Sequence, residues 1–244
     1  MERLQKIIAN FGYCSRREAE KLIKTNHVTV NGKVVNELGT KFSDKDLIEI
    51  DGVKLNKDQK EYYLLYKPRG VVSTAKDEKG RKTVVDIINT NARIYPIGRL
   101  DYDTTGIILL TNDGELANLL THPKNKIEKI YVSKIDGIID GNSLKMLSSG
   151  VVIDGYKTSK AKTKLRKIDK KNNTSIVELR IHEGRNHQVK KMFESVGYKV
   201  LKLKREAFAF LTLGNLKPGE YRKLTIKEVR QLYGMFNNKK NTNQ

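Results

Sequence analysis

The chain has 244 residues, with 48 Lys+Arg against 28 Asp+Glu, a formal net charge of +20 and 38% hydrophobic residues. A lone cysteine, Cys14, rules out an internal disulfide framework, and with only four histidines a thiolate-rich zinc site is excluded too. No stretch approaches the roughly 20 apolar residues of a membrane helix and no signal-peptide core opens the chain, so a cytoplasmic monomer drawn to polyanions and not to membranes is expected.

The first 60 residues read as a separate module. Leu4, Ile7, Ile8 and Phe11 have helical spacing, with Gly12 as a stop. Ser15-Arg-Arg-Glu18 is a capping-box pattern opening a second helix, whose inner face is Ala19, Leu22 and Ile23. Val28-Thr-Val30, the turn Asn31-Gly32 and Val34-Val35 form a hairpin, and Ile48 and Ile50 make a further strand before Asp51-Gly52. Arg16 and Arg17 project beside the capped amides, where positive side chains raise a potential that suits phosphate. These strings resemble the alpha-L RNA-binding motif of the ribosomal-protein S-four type over roughly residues 1–55. The resemblance implies contact with structured RNA through Arg3, Arg16, Arg17 and Lys21. Polar residues 56–60 close the module as a linker.

A strand at 61–66 is stopped by Lys67-Pro-Arg-Gly70, because Pro68 removes a ladder donor and Gly70 permits a turn. A polar stretch holding Arg99, Asp101, Asp103, Thr104 and Thr105 feeds a buried strand at 107–111, a rigid mount for a reactive side chain. By residue type, Asp101 and Asp103 are either reactive carboxylates or turn-capping ones. Asp113 caps a helix ending near His122-Pro123. From residue 157 to 181, basic residues and then apolar ones alternate about a turn at Lys170-Lys-Asn-Asn173, which gives a hairpin with a basic face. Asn186 can cap a helix with the apolar stripe Val189, Met192, Phe193 and Val196. Lys190 then either pairs with Glu194 or reaches a cleft. Thr225-Ile-Lys-Glu228 is a second capping box, and 237–244 reads as a flexible tail.

The string Gly98-Arg-Leu-Asp-Tyr-Asp-Thr-Thr-Gly106, continued by Ile107-Ile-Leu-Leu-Thr-Asn-Asp-Gly114, resembles the catalytic motif of the pseudouridine synthases, in the branch that modifies ribosomal RNA. Lys67-Pro-Arg-Gly70, Lys129-Ile-Tyr131 and Glu183-Gly-Arg-Asn-His-Gln188 support it in order. The resemblance implies an α+β fold: the small N-terminal module, then a catalytic domain at 61–236 built on mainly antiparallel or mixed sheet. It implies isomerisation of a specific uridine in large-subunit (23S) ribosomal RNA, met as a stem-loop or in a ribosome assembly intermediate. A small-subunit site and a non-catalytic assembly factor are the alternatives. No cofactor and no metal are implied. Asp101 matches the catalytic aspartate, Lys190 its cationic partner and Tyr131 the tyrosine stacking on the target base. Arg99 is similar to the arginine that holds RNA while the nucleotide leaves its stack, a step of a few kcal/mol. His187 is an RNA contact or a plain first-turn residue, and Lys67, Arg69, Arg185, Lys204 and Arg205 are expected phosphate contacts.

Residues 1–55 carry net +2 (10 − 8), 56–144 net +2 (14 − 12) and 145–244 net +16 (24 − 8). The last stretch, with Lys160, Lys162 and Lys164, is therefore expected to grip the RNA backbone around the flipped uridine.

Overall fold

The computed structural model describes residues 1–237; of the tail expected at 237–244, Asn237 instead ends the last helix and the rest lies outside the described residues. The chain forms two compact units. One is residues 1–61 with 89–94 and 111–114; the other is 62–88, 95–110 and the chain from residue 115 onward.

In the first unit, helices Leu4–Asn10 and Arg16–Lys24 cover a four-stranded sheet of Val28–Val30, Lys33–Val34, Ile48–Ile50 and Val53–Lys54. Their apolar stripes form one core with Val28, Val30, Ile48 and Ile50. The Ser15 hydroxyl accepts from the Glu18 amide at 3.1 Å, so the second helix starts where the capping box puts it. Asn31 and Gly32 both have positive φ, 51° and 77°, the geometry a two-residue hairpin turn requires. The polar 56–60 segment is pinned: Asn112 donates to the Gln59 carbonyl at 2.8 Å and accepts from the Glu61 amide at 2.9 Å. These bonds explain why a piece of chain expected in the second domain packs with the first.

The second unit is built on a nine-stranded sheet. From one edge its main path runs Lys162–Asp169, Thr174–Ile181, Lys129–Asp136, Val200–Phe208, Thr105–Thr111, Tyr62–Lys67 and Tyr221–Lys223. Lys129–Asp136 pairs antiparallel with both neighbours, whereas Val200–Phe208 meets Thr105–Thr111 in parallel at Lys204–Thr105 and Arg205–Gly106. Gly106, at φ 119°, is obligatory at this seam: a Cβ there would stand 2.2 Å from the Arg205 carbonyl oxygen. Helices Gly114–Thr121 and Ile226–Asn237 contribute Leu116, Leu120, Leu232 and Phe236 to a core with Leu64, Ile107 and Leu109. The last helix carries the expected reciprocal box, Glu228 N to Thr225 Oγ1 at 3.2 Å and Thr225 N to Glu228 Oε2 at 2.8 Å. The helix expected behind Asn186 is Gln188–Glu194, and its N-cap is His187 in the left-handed region, with no side-chain cap bond. The chain reverses at that residue, one position later than the Asn186 cap requires.

Candidate active site

The 98–104 loop is held from beneath. Lys67 is fully buried, and its Nζ donates to the carbonyls of Pro68, Asp101 and Thr104 at 2.9–3.0 Å, with Tyr102 O at 3.5 Å. Burial pulls its pKa down to about 8, while Asp101 and Asp103 oppose that fall. The Arg69 Nε donates to the Asp103 carbonyl at 2.9 Å, and the Ser73 hydroxyl bridges the Leu100 carbonyl and amide at 2.7 and 3.1 Å. Lys67-Pro-Arg-Gly70 is thus a seat for the loop. Lys67 is corrected as a phosphate contact, because a fully buried ammonium committed to carbonyls has no access to RNA.

Above the seat, Lys190 is shared between two carboxylates. Its Nζ lies 2.7 and 3.0 Å from the Asp103 oxygens and 3.3 Å from Asp101 Oδ2. Burial opposes the charge on Lys190, but both carboxylates outweigh it and raise the pKa; Lys190 in turn holds Asp103 below the usual carboxylate range. Asp103, left by its residue type as either reactive or turn-capping, therefore competes for the cation. His187 Nε2 lies 3.5 Å from Asp101 Oδ1, and its φ of 53° is uncommon for a non-glycine residue. Gln188, which sequence reasoning missed, holds the preceding loop by accepting from the Arg185 amide at 3.0 Å and donating to Glu183 at 2.7 Å.

Asp101 borders a cavity of about 780 Å³, within the range of ordinary ligand sites. Arg99, Arg185 and His187 stand at it, all exposed. Tyr131, only 8% exposed, lines it from the sheet. Sheet residues reach the cavity from one face alone: Lys129 and Tyr131, Ile181, Leu203 and Arg205, with Phe208 brought to the same face by a register shift opposite Ile130 and Tyr131. Their alternation reflects the strand period of two. The half-buried Lys129 was missed, although its spacing of two from Tyr131 is the signal that places them together. Its Nζ donates to the carbonyls of Ile127 and His182, and burial, with Arg205 nearby, brings its pKa to about 8.

The other face carries Lys162, Lys164 and Arg166, with Glu178, Arg180, Lys134, Lys202, Lys204 and Glu206 beside them by register and by ion pairing. The expectation that Lys162 and Lys164 grip RNA at the cavity is corrected on this parity; Lys160 alone of the three borders it. Two further phosphate contacts change place. Lys204 pairs with Glu206 at 2.7 Å on the far face, and Arg205, 3% exposed, spends its Nε on the Ile107 carbonyl at 2.8 Å. Arg185 stacks its guanidinium 4.9 Å from the Tyr156 ring centroid. In the first unit Arg3, Arg16, Arg17 and Lys21 are exposed, with Lys21 3.8 Å from Glu18. Among the described residues no group of three or more His, Cys, Asp or Glu side chains is arranged to hold a metal ion.

Comparison with known proteins agrees with this architecture. Residues 61–195 match the RNA pseudouridylate synthase family model, and residues 2–48 match the S4 domain model. The chain is 55% identical, over 99% of its own length and 99% of the relative's, to "Ribosomal large subunit pseudouridine synthase B" of Bacillus subtilis (strain 168). It is 38% identical to an uncharacterized RNA pseudouridine synthase of Aquifex aeolicus (strain VF5), covering 95% of this chain and 93% of that protein. A solved pseudouridylate synthase structure superposes with a TM-score of 0.67 at 33% identity, covering 95% of this chain and all of the other. With a loop carboxylate beside a lysine, a tyrosine-walled cavity and an S4 domain ahead of them, the chain belongs to the RNA pseudouridylate synthase family.

Proposed function

We propose that this protein converts one uridine of large-subunit (23S) ribosomal RNA to pseudouridine. The reaction breaks the bond from N1 of uracil to C1′ of ribose, turns the base, and forms the bond from C5 to C1′. The proton lost from C5 is balanced by the one gained at N1, so the change is an isomerisation. Asp101 supplies the carboxylate that acts as nucleophile or base. Lys190 is a positioning cation that keeps the anionic loop compact, dividing its charge between Asp101 and Asp103. Tyr131 presents its ring to the flipped uracil, and Arg99 helps hold the RNA as the target nucleotide leaves its stack. Base extraction is least costly at an unpaired position, so the substrate is a stem-loop rather than a continuous duplex. The N-terminal module, residues 1–60, selects the shape of that RNA, either free or within an assembly intermediate, and the protein acts as a monomer.

The observation that carries this reading is that Asp101 and Tyr131 line one cavity with Lys190 3.3 Å from the Asp101 carboxylate, in a chain 55% identical over 99% of its length to a named large-subunit enzyme. The test is to map pseudouridine across ribosomal RNA from cells with and without the protein. Loss of one 23S position supports the proposal, and loss of a small-subunit position overturns the subtype. Purified Asp101→Asn is expected to bind RNA while its turnover falls by about 10³-fold or more. Wild-type turnover in that variant would remove Asp101 from the chemistry.

A further inference from the structure

The second face of the catalytic sheet is open and strongly basic. Across its strands stand Lys134, Lys162, Lys164, Arg166, Lys167, Arg180, Lys202 and Lys204, eight cations, with two carboxylates, Glu178 and Glu206, at the centre and three more, Glu128, Asp136 and Asp169, at the margins. Lys164, Glu178, Val132 and Lys204 form one row over four strands, about 14 Å wide at the usual strand spacing. The two carboxylates organise the arginines: Arg166 reaches Glu178 at 2.6 Å and Glu206 at 2.8 Å, and Arg180 reaches Glu178 at 2.7 Å. Lys162, Lys164 and Lys202 are exposed and have no ion-pair partner within 4.0 Å among the described residues.

We propose that this face is a second RNA-binding surface, which takes the phosphate backbone of a segment outside the stem-loop that enters the cavity. Two observations favour RNA over a protein partner. The face has no apolar centre, since its half-buried hydrophobic residues Ile130, Val132 and Ile176 each stand beside charged cross-strand neighbours, whereas protein interfaces concentrate apolar and aromatic groups at their middle. The carboxylates are taken up by Arg166 and Arg180, which leaves the exposed ammonium groups of Lys162, Lys164 and Lys202 for phosphate. No side chain of this face borders the cavity, so the two surfaces cannot grip the same few nucleotides. The protein thus holds its RNA on both sides of one sheet.

The inference rests on the RNA-modifying reading above. Its test compares two RNAs with the triple variant Lys162→Gln, Lys164→Gln, Lys202→Gln: a short stem-loop around the mapped site, and the full-length 23S transcript. The variant is expected to bind the long transcript about tenfold more weakly at 0.1 M salt. Its log–log salt dependence should fall by about 2–3, the slope of three phosphate contacts. KM and kcat on the stem-loop should not change, which also shows that the variant is folded. Unchanged affinity for both RNAs would return the face to a merely solvated surface and overturn the proposal. Equal weakening on both would place these lysines at the cavity and overturn it as well. So would a loss seen on ribosomal particles but absent on naked RNA, because the partner would then be a protein. If instead the wild type forms no pseudouridine on either RNA, the functional reading itself has failed.

Discussion

The two faces of the catalytic sheet carry cations in opposite ways. On the cavity face Lys129 and Arg205 are withdrawn from water and committed to backbone carbonyls, and Lys67 does the same beneath the 98–104 loop. On the far face Lys162, Lys164, Arg166 and Lys202 are exposed, and the ion pairs there fix arginines rather than loops. A buried cation bonded to carbonyls fixes backbone positions, and its removal leaves acceptors unsatisfied. An exposed cation contributes little to stability and acts through the field it presents to a ligand. Net charge therefore says where a polyanion is attracted but not which lysines meet it.

The largest separation of the two faces should come from Lys67→Met. Three carbonyls lose a donor at 2.9–3.0 Å, and the variant is expected to lose about 3 kcal/mol of stability by denaturant titration, with turnover lost as well. An unchanged midpoint would mean that the seat is not what holds the loop. Next is Lys190→Gln, which removes the cation shared by Asp101 and Asp103. Its kcat is expected to fall about 10- to 100-fold with KM nearly constant, and Lys190→Arg should recover part of the loss. A rise in KM alone would make Lys190 an RNA contact. The smallest effect belongs to the far face. Burial opposes ionisation of Glu178, yet Arg166 and Arg180 hold its pKa below the ordinary range. A depressed folded-state value means that this stabilisation is present above about 4.3 and is lost as pH falls below it. Glu178→Gln should cost about 1 kcal/mol at neutral pH and flatten the acid limb of a pH–melting curve, with turnover intact. Should Glu178→Gln slow turnover more than Lys190→Gln does, the division between the faces is wrong.

Local rules in the sequence were enough for the Asn31-Gly32 turn, the Ser15 cap, the reciprocal Thr225–Glu228 box and the strand beyond the 98–104 loop. Each depends on residues close together in the chain. Asp101 and Lys190 meeting, expected from the motif resemblance, is present at 3.3 Å, but the closer grip of Lys190 on Asp103 was not legible. That depends on how the loop bends over Lys67, and a lysine before a proline reads as a surface cation until its four carbonyls are seen around it. Alternation at Lys162 and Lys164 shows that they share a face. It cannot say which one, because the answer lies in the register with Thr174–Ile181 and, through it, with Tyr131. The shift of the helix cap from Asn186 to His187 has a similar origin, since Gln188 bonds Arg185 and Glu183 and sets where the chain turns.

The parallel seam at Gly106 has a consequence for how the enzyme comes into being. Ile107 and Arg205, joined across it, are 98 residues apart, whereas Lys67 and the loop it supports are separated by 34 to 37. At synthesis rates of roughly 5–20 residues per second, the nascent chain holds a seated Asp101 for about 5–20 s before the strand that flanks it exists. Through that interval Thr105–Thr111, apolar along most of its length, offers an unpaired edge of the kind that recruits chaperones or other chains. A protein that modifies ribosomal RNA would thus be most exposed to misassembly while it is itself emerging from a ribosome.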